Sequence, residues 1–99
     1  MGKKFDTGKI DWALLPLKPI EWVIIVLMHG AKKYGRSNWQ TLPDFEDRYF
    51  SALMRHLTDY RSGETYDKDS GLHHLAHVAC NIVFLIWGEI AKGVRLHKK

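Results

Sequence analysis

Three stretches of the chain carry apolar residues at helical spacing, and none alternates with the period of a strand. The first is expected from about residue 18 to 33. Pro19 suits a first-turn position, and Glu21 behind it suits the positive end of a helix dipole. Val23 to Met28 follows without a polar break, so this helix is apolar on most faces. Such a helix is buried inside a protein or between subunits.

The second helix is expected over about 44–61, with Asp44 as its cap. Phe45, Tyr49, Ala52, Leu53, Leu57 and Tyr60 recur at helical spacing, opposite a charged face. Ser62-Gly63 supplies the stop. A short polar loop, GETYDKDSG, leads to a third helix over about 70–88, capped by Asp69 or Ser70. A connection this short makes the last two helices an antiparallel hairpin. Residues 1–16 read as an irregular arm, in which Asp11 to Leu15 can form one turn, and 93–99 as a basic tail. The predicted fold is all-α: a hairpin plus an apolar N-terminal helix, completed by oligomerisation.

The chain's 99 residues set the limit at one domain, 1–99. A single cysteine, Cys80, rules out an intramolecular disulfide and indicates a reducing, cytoplasmic setting. The apolar runs fall short of the ~20 residues a spanning helix needs, so no membrane partner is expected. The net charge is +4, and much of the excess sits at Lys3, Lys4, Arg95, Lys98 and Lys99. The middle of the chain is nearly balanced, so nucleic acid is an unlikely partner.

Polar residues interrupt the third helix along one stripe. At 100° per residue, His74, His77 and Asn81 share a face, with apolar residues almost everywhere else. Buried polar groups need partners. His56 lies on the apolar face of the second helix, with Asp59 three residues on. An antiparallel hairpin brings His56, Asp59, Glu64, Asp67 and Asp69 towards His73, His74 and His77. Imidazoles and carboxylates in such a group suit a divalent ion: Zn, Mn, Fe or Co, with Mg preferring oxygen alone. Taken singly, each of these histidines is more simply a helix-end residue bonding a carbonyl, and DKDS is ordinary capping. The concentration of four histidines and four carboxylates between His56 and His77 favours a site. A second constellation is GAKKYGRSNWQ, residues 30–40. Lys33 can neutralise phosphate, and Tyr34 and Trp39 can stack on a base. The same residues read equally well as a helix C-terminus followed by a pinned loop.

These blocks resemble a known family. The pattern GA-x-KYG-x-x-NW, then RHL, GE and D-x-DSG-x-x-HLAH is similar to the phage-associated dATP/dGTP diphosphohydrolase N-terminal domain family. It is matched here at Gly30, Ala31, Lys33, Tyr34, Gly35, Asn38 and Trp39, and at Arg55, His56 and Leu57. It continues through Gly63, Glu64, Asp67, Asp69, Ser70, Gly71 and His74 to His77. The early Lys9, Asp11 and Pro16 also fit. The resemblance spans roughly 9–87. It implies hydrolysis of a purine deoxynucleoside triphosphate to monophosphate and pyrophosphate, by a distant cousin of the all-α MazG-type pyrophosphohydrolases. Those use ExxE…ExxD carboxylates for Mg. Here the matching positions are His56-x-x-Asp59 and His74-x-x-His77, which points to a softer metal.

The expected roles follow. His56, Asp69, His74 and His77 hold metal, and Glu64 or Asp67 takes a proton from water. Lys9, Lys33, Tyr34, Asn38, Trp39 and Arg55 bind the nucleotide. Two other readings remain: a module that binds nucleotide without turning it over, and an accessory protein for nucleic acid.

Overall fold

In the computed structural model, which describes residues 8–98, helices α1 (Leu17–Tyr34), α2 (Phe45–Arg61) and α3 (His74–Ala91) make an all-α fold. Lys3, Lys4 and the start of the arm, with Lys99 of the tail, lie outside the described residues. The rest of the arm makes one 3-10 turn, Trp12–Leu14, capped by Asp11. Helices α2 and α3 form the hairpin, and α1 packs on α3.

Helix α1 ends where expected. Gly35 takes φ +100°, a left-handed value that glycine adopts without strain, and its N–H reaches back to Ala31. Helix α2 ends through Gly63 at φ +110°, with Glu64 N–H bonded to the Asp59 carbonyl. Asp44 does precede α2, but at φ +54° its side chain makes no capping bond.

Helix α3 corrects the expectation. It starts at His74, not near residue 70, and His73 is its cap, with Nδ1 accepting from Leu75 N–H. The Asp-Ser capping signal is spent one turn earlier. Asp67 accepts from Ser70 N–H, and Gly71 then bends the chain at φ +75°. The loop folds back so that Tyr66 and His73 form an isolated antiparallel bridge. The other end of α3 lies slightly beyond Gly88, at Ala91, as expected. Gly88 lies inside α3, where an added Cβ would stand 2.9 Å from the Phe45 ring.

The core is a line of buried residues: Val23 and Val26 from α1, Tyr49 from α2, and Ala76, Cys80 and Phe84 from α3. By length and composition α3 alone among the described helices could cross a membrane. Here it is the central helix, with both others against it and buried His74 and Asn81 turned inward. Much apolar surface stays open. On α1, Trp22, Ile24, Ile25 and Met28 are exposed; on α3, Ile82, Val83, Ile86 and Ile90 are too. The radius of gyration, 16.0 Å, exceeds the ~13 Å of a compact chain this long.

Candidate metal centre

The loop end of the hairpin gathers the polar residues. His56 comes from α2, Asp59 from its last turns, Glu64 and Asp67 from the loop, and His74 and His77 from the first turn of α3. The loop is tied down by Asp67 N–H to the Leu72 carbonyl at 2.8 Å and His74 N–H to the Thr65 carbonyl at 3.0 Å.

His74 is the most deeply buried residue here, 1% exposed. Its Nε2 lies 2.9 Å from Glu64 Oε1, and its Nδ1 lies 2.9 Å from His56 Nδ1. A carboxylate oxygen only accepts, so His74 donates from Nε2 to Glu64. One proton between the two Nδ1 atoms closes the chain, and an ion held by both nitrogens would take that proton's place. Asp67 Oδ1 stands 3.9 Å from His56 Nδ1.

The spacing of these atoms can be set against that around a divalent ion. Nitrogens bound at about 2.0–2.1 Å to one ion stand about 2.9 Å apart at a right angle and about 3.4 Å apart at a tetrahedral one. The observed 2.9 Å suits the right angle. One ligand atom from each of His56, Asp67 and His74 falls within 4.8 Å of the others. Glu64 behind His74 makes the carboxylate–histidine pairing usual around metal ligands. A second group of the same kind, Asp59, Glu64 and His74, shares His74.

His77 stands differently from expectation. Its Nε2 meets the Ser70 hydroxyl at 2.8 Å, and its ring stacks on His56 at 4.3 Å, tilted by 4°. It stands outside both ligand groups, but its Nε2 lies 4.0 Å from Asp67 Oδ2, at the edge of the cluster. Asn81, expected to face a polar partner, instead donates to the His77 carbonyl of its own helix. Asp69 stands apart from the cluster. It is exposed and outside both groups, because the turn at 67–70 aims Asp67 inward and Asp69 out.

Electrostatics favour neutral rings. Burial pushes His77 down to about 4, helped by His56, His74 and His29 and opposed by Asp67. His56 is also lowered, chiefly by burial. Asp67 is lowered although burial opposes it, because the Ser70 N–H and hydroxyl and the two imidazoles hold its charge. Neutral nitrogens and an ionised carboxylate are the forms that bind metal. His29, on α1, was missed in the sequence; no pattern there ties it to the distant cluster.

The second constellation does not join this site within one chain. Asn38 donates its side-chain N–H to the Tyr34 carbonyl and caps α1. Trp39 stacks on Phe84 at 4.2 Å and meets Trp87 edge-on at 5.1 Å. Its ring belongs to the far end of the hairpin, with one face stacked on Phe84. Lys33 and Tyr34 are exposed in the last turn of α1. They lie roughly 16 Å along the helix axis from Trp22, which touches His73. Lys9 is exposed and makes none of the ion pairs found among the described residues. Arg55 is exposed beside His56, at the rim.

An all-α hairpin with a buried histidine–carboxylate centre at its loop end is thus the class of protein this chain represents. The family described as dATP/dGTP diphosphohydrolase, N-terminal, matches residues 1–95, and the chain belongs to it. A dATP/dGTP diphosphohydrolase from Salmonella phage PMBT28 is 40% identical over 86 residues, covering 87% of this chain. The chain spans 29% of that relative's length. No solved structure matches.

Proposed function

We propose that the chain is a metal-dependent hydrolase domain acting on purine deoxynucleoside triphosphates, giving monophosphate and pyrophosphate in the cytoplasm of a phage's bacterial host. The observation that carries this reading is the facing pair of imidazole nitrogens with Asp67 beside them, in a chain of this family. His56, Asp67 and His74 would hold the ion, which supplies a polarised, more acidic water when bound. Mn, Co or Zn fits the mixed nitrogen and oxygen set better than Mg.

The protein's own groups do the rest. Glu64 orients His74 through Oε1 and stays partly open to solvent, so it is placed to accept a proton from the attacking water. Asp67, held ionised by Ser70, serves as ligand more than as base. Arg55 at the rim, and Lys68 at 3.7 Å from Glu64, are the cations nearest to hand for phosphate. Water attacks the α-phosphorus, the bond to the bridging oxygen breaks, and pyrophosphate leaves.

The test is a deoxynucleotide panel with Mg, Mn, Co and Zn, followed by phosphorus NMR, on wild type and Asp67→Asn. Turnover of a purine triphosphate that Asp67→Asn abolishes supports the reading. Tight binding with no turnover under any metal supports a binding-only module instead, an alternative favoured by the small share of the relative that this chain spans. The open apolar face of α3, with Ile82, Val83, Ile86 and Ile90, supports pairing with a second copy. Sedimentation equilibrium should return at least a dimer; a monomer at all concentrations refutes pairing.

A further inference from the structure

An aromatic group stands directly beside the metal centre. His73 is ringed by Trp22 at 5.3 Å, Tyr60 at 5.6 Å and Tyr66 at 5.8 Å between ring centroids. Three of these residues neighbour the cluster in sequence: Tyr60 follows Asp59, Tyr66 precedes Asp67, and His73 precedes His74. Consecutive Cα atoms are about 3.8 Å apart, so this group lies within a nucleoside's length of the cluster. Trp22 reaches in from α1.

The group is more open than packing requires. Trp22 is 47% exposed and Tyr66 61% exposed, although both touch His73. The aromatic rings at the other end behave otherwise: Phe84 is 9% exposed and enclosed by Trp39 and Tyr49. His73 is also oriented. Its Nδ1 accepts from Leu75 N–H, which leaves the ring proton on Nε2 as a donor. Flat π surfaces with one fixed N–H donor suit a purine ring, which has large faces and acceptor nitrogens at its edge.

We infer that Trp22, Tyr60, Tyr66 and His73 form the nucleobase subsite, with the purine against the open rings and the phosphates towards His56, Asp67 and His74. The inference rests on the hydrolase reading of that cluster. It moves base recognition from Tyr34 and Trp39 to the loop end of the hairpin.

The experiment measures binding of two probes, a non-hydrolysable α,β-methylene dATP and inorganic tripolyphosphate, with Mn present. Tyr66 is exposed in a loop, so Tyr66→Ala is expected to keep the fold, and circular dichroism checks this. Tyr66→Ala should weaken the dATP analogue by about tenfold or more while shifting tripolyphosphate by less than about twofold. The analogue should quench tryptophan emission in wild type and in Trp12→Phe, and the quench should vanish in Trp22→Phe. Unchanged analogue affinity in Tyr66→Ala together with a quench that survives Trp22→Phe overturns the subsite alone. Failure of wild type to bind either probe overturns the hydrolase reading, and the subsite with it.

Discussion

The two ends of the α2–α3 hairpin are built from opposite materials. At the loop end, His56, His74, Asp67 and Glu64 are held by hydrogen bonds within a few ångströms of one another. At the other end, Trp39, Phe45, Phe84 and Trp87 pack ring on ring. Apolar contact is non-directional and contributes stability wherever it is dry. A cluster of polar side chains is stable only if every donor finds an acceptor. Among the described residues no buried side-chain nitrogen or oxygen lacks a partner. Losing a ring at the aromatic end is therefore expected to cost more at neutral pH than losing a group at the polar end, whose donors and acceptors are satisfied.

The largest expected effect lies at the aromatic end. Trp39→Ala removes the ring stacked on Phe84 and should cost about 3–5 kcal/mol, read by chemical denaturation. A cost below about 1 kcal/mol would mean that the ring is not part of the core.

The next effect belongs to the polar end and depends on pH. His77 titrates near 6.5 when unfolded and at about 4 when folded. Between those values the unfolded chain binds the proton and the folded chain does not, so stability falls as the pH falls through that window. The loss from neutral pH down to about pH 4 should be on the order of 3 kcal/mol, and His77→Gln should flatten the slope. A slope unchanged by His77→Gln would place the titration elsewhere. A smaller effect is expected for Glu64→Gln. It leaves the ligands in place but loosens His74, so ion affinity should fall about 10–100-fold while the fold stays intact. Calorimetric titration with Zn reads this, and unchanged affinity would remove Glu64 from the orienting role.

The contrast also explains what could be read from the sequence. Helices α1 and α2 announce themselves by apolar period, by Pro19, and by Gly35 and Gly63 at their ends. The start of α3 is not legible, because Asp69-Ser70 looks like a cap while the chain uses Asp67 and Ser70 for a turn and caps with His73. Phasing puts His74 and His77 on one stripe of α3 and His56 on the apolar face of α2, and the hairpin brings them together. Phasing could not separate Asp67 from Asp69, two residues apart in a loop without period, and only the turn decides which points inward. Trp39 was ambiguous for a related reason. A tryptophan after a helix stop serves packing or stacking equally well until its neighbours are known, and those neighbours, Phe84 and Trp87, lie over forty residues away.

The central claim is that His56, Asp67 and His74 form the ion-binding set and that Asp69 does not belong to it. Cobalt titration followed by its visible d–d absorption tests this on wild type, Asp67→Asn and Asp69→Asn. The account predicts a saturable band in wild type, the same band in Asp69→Asn, and its loss or a shift of at least about tenfold in affinity in Asp67→Asn. No band in folded wild type, or equal losses in both variants, would contradict it.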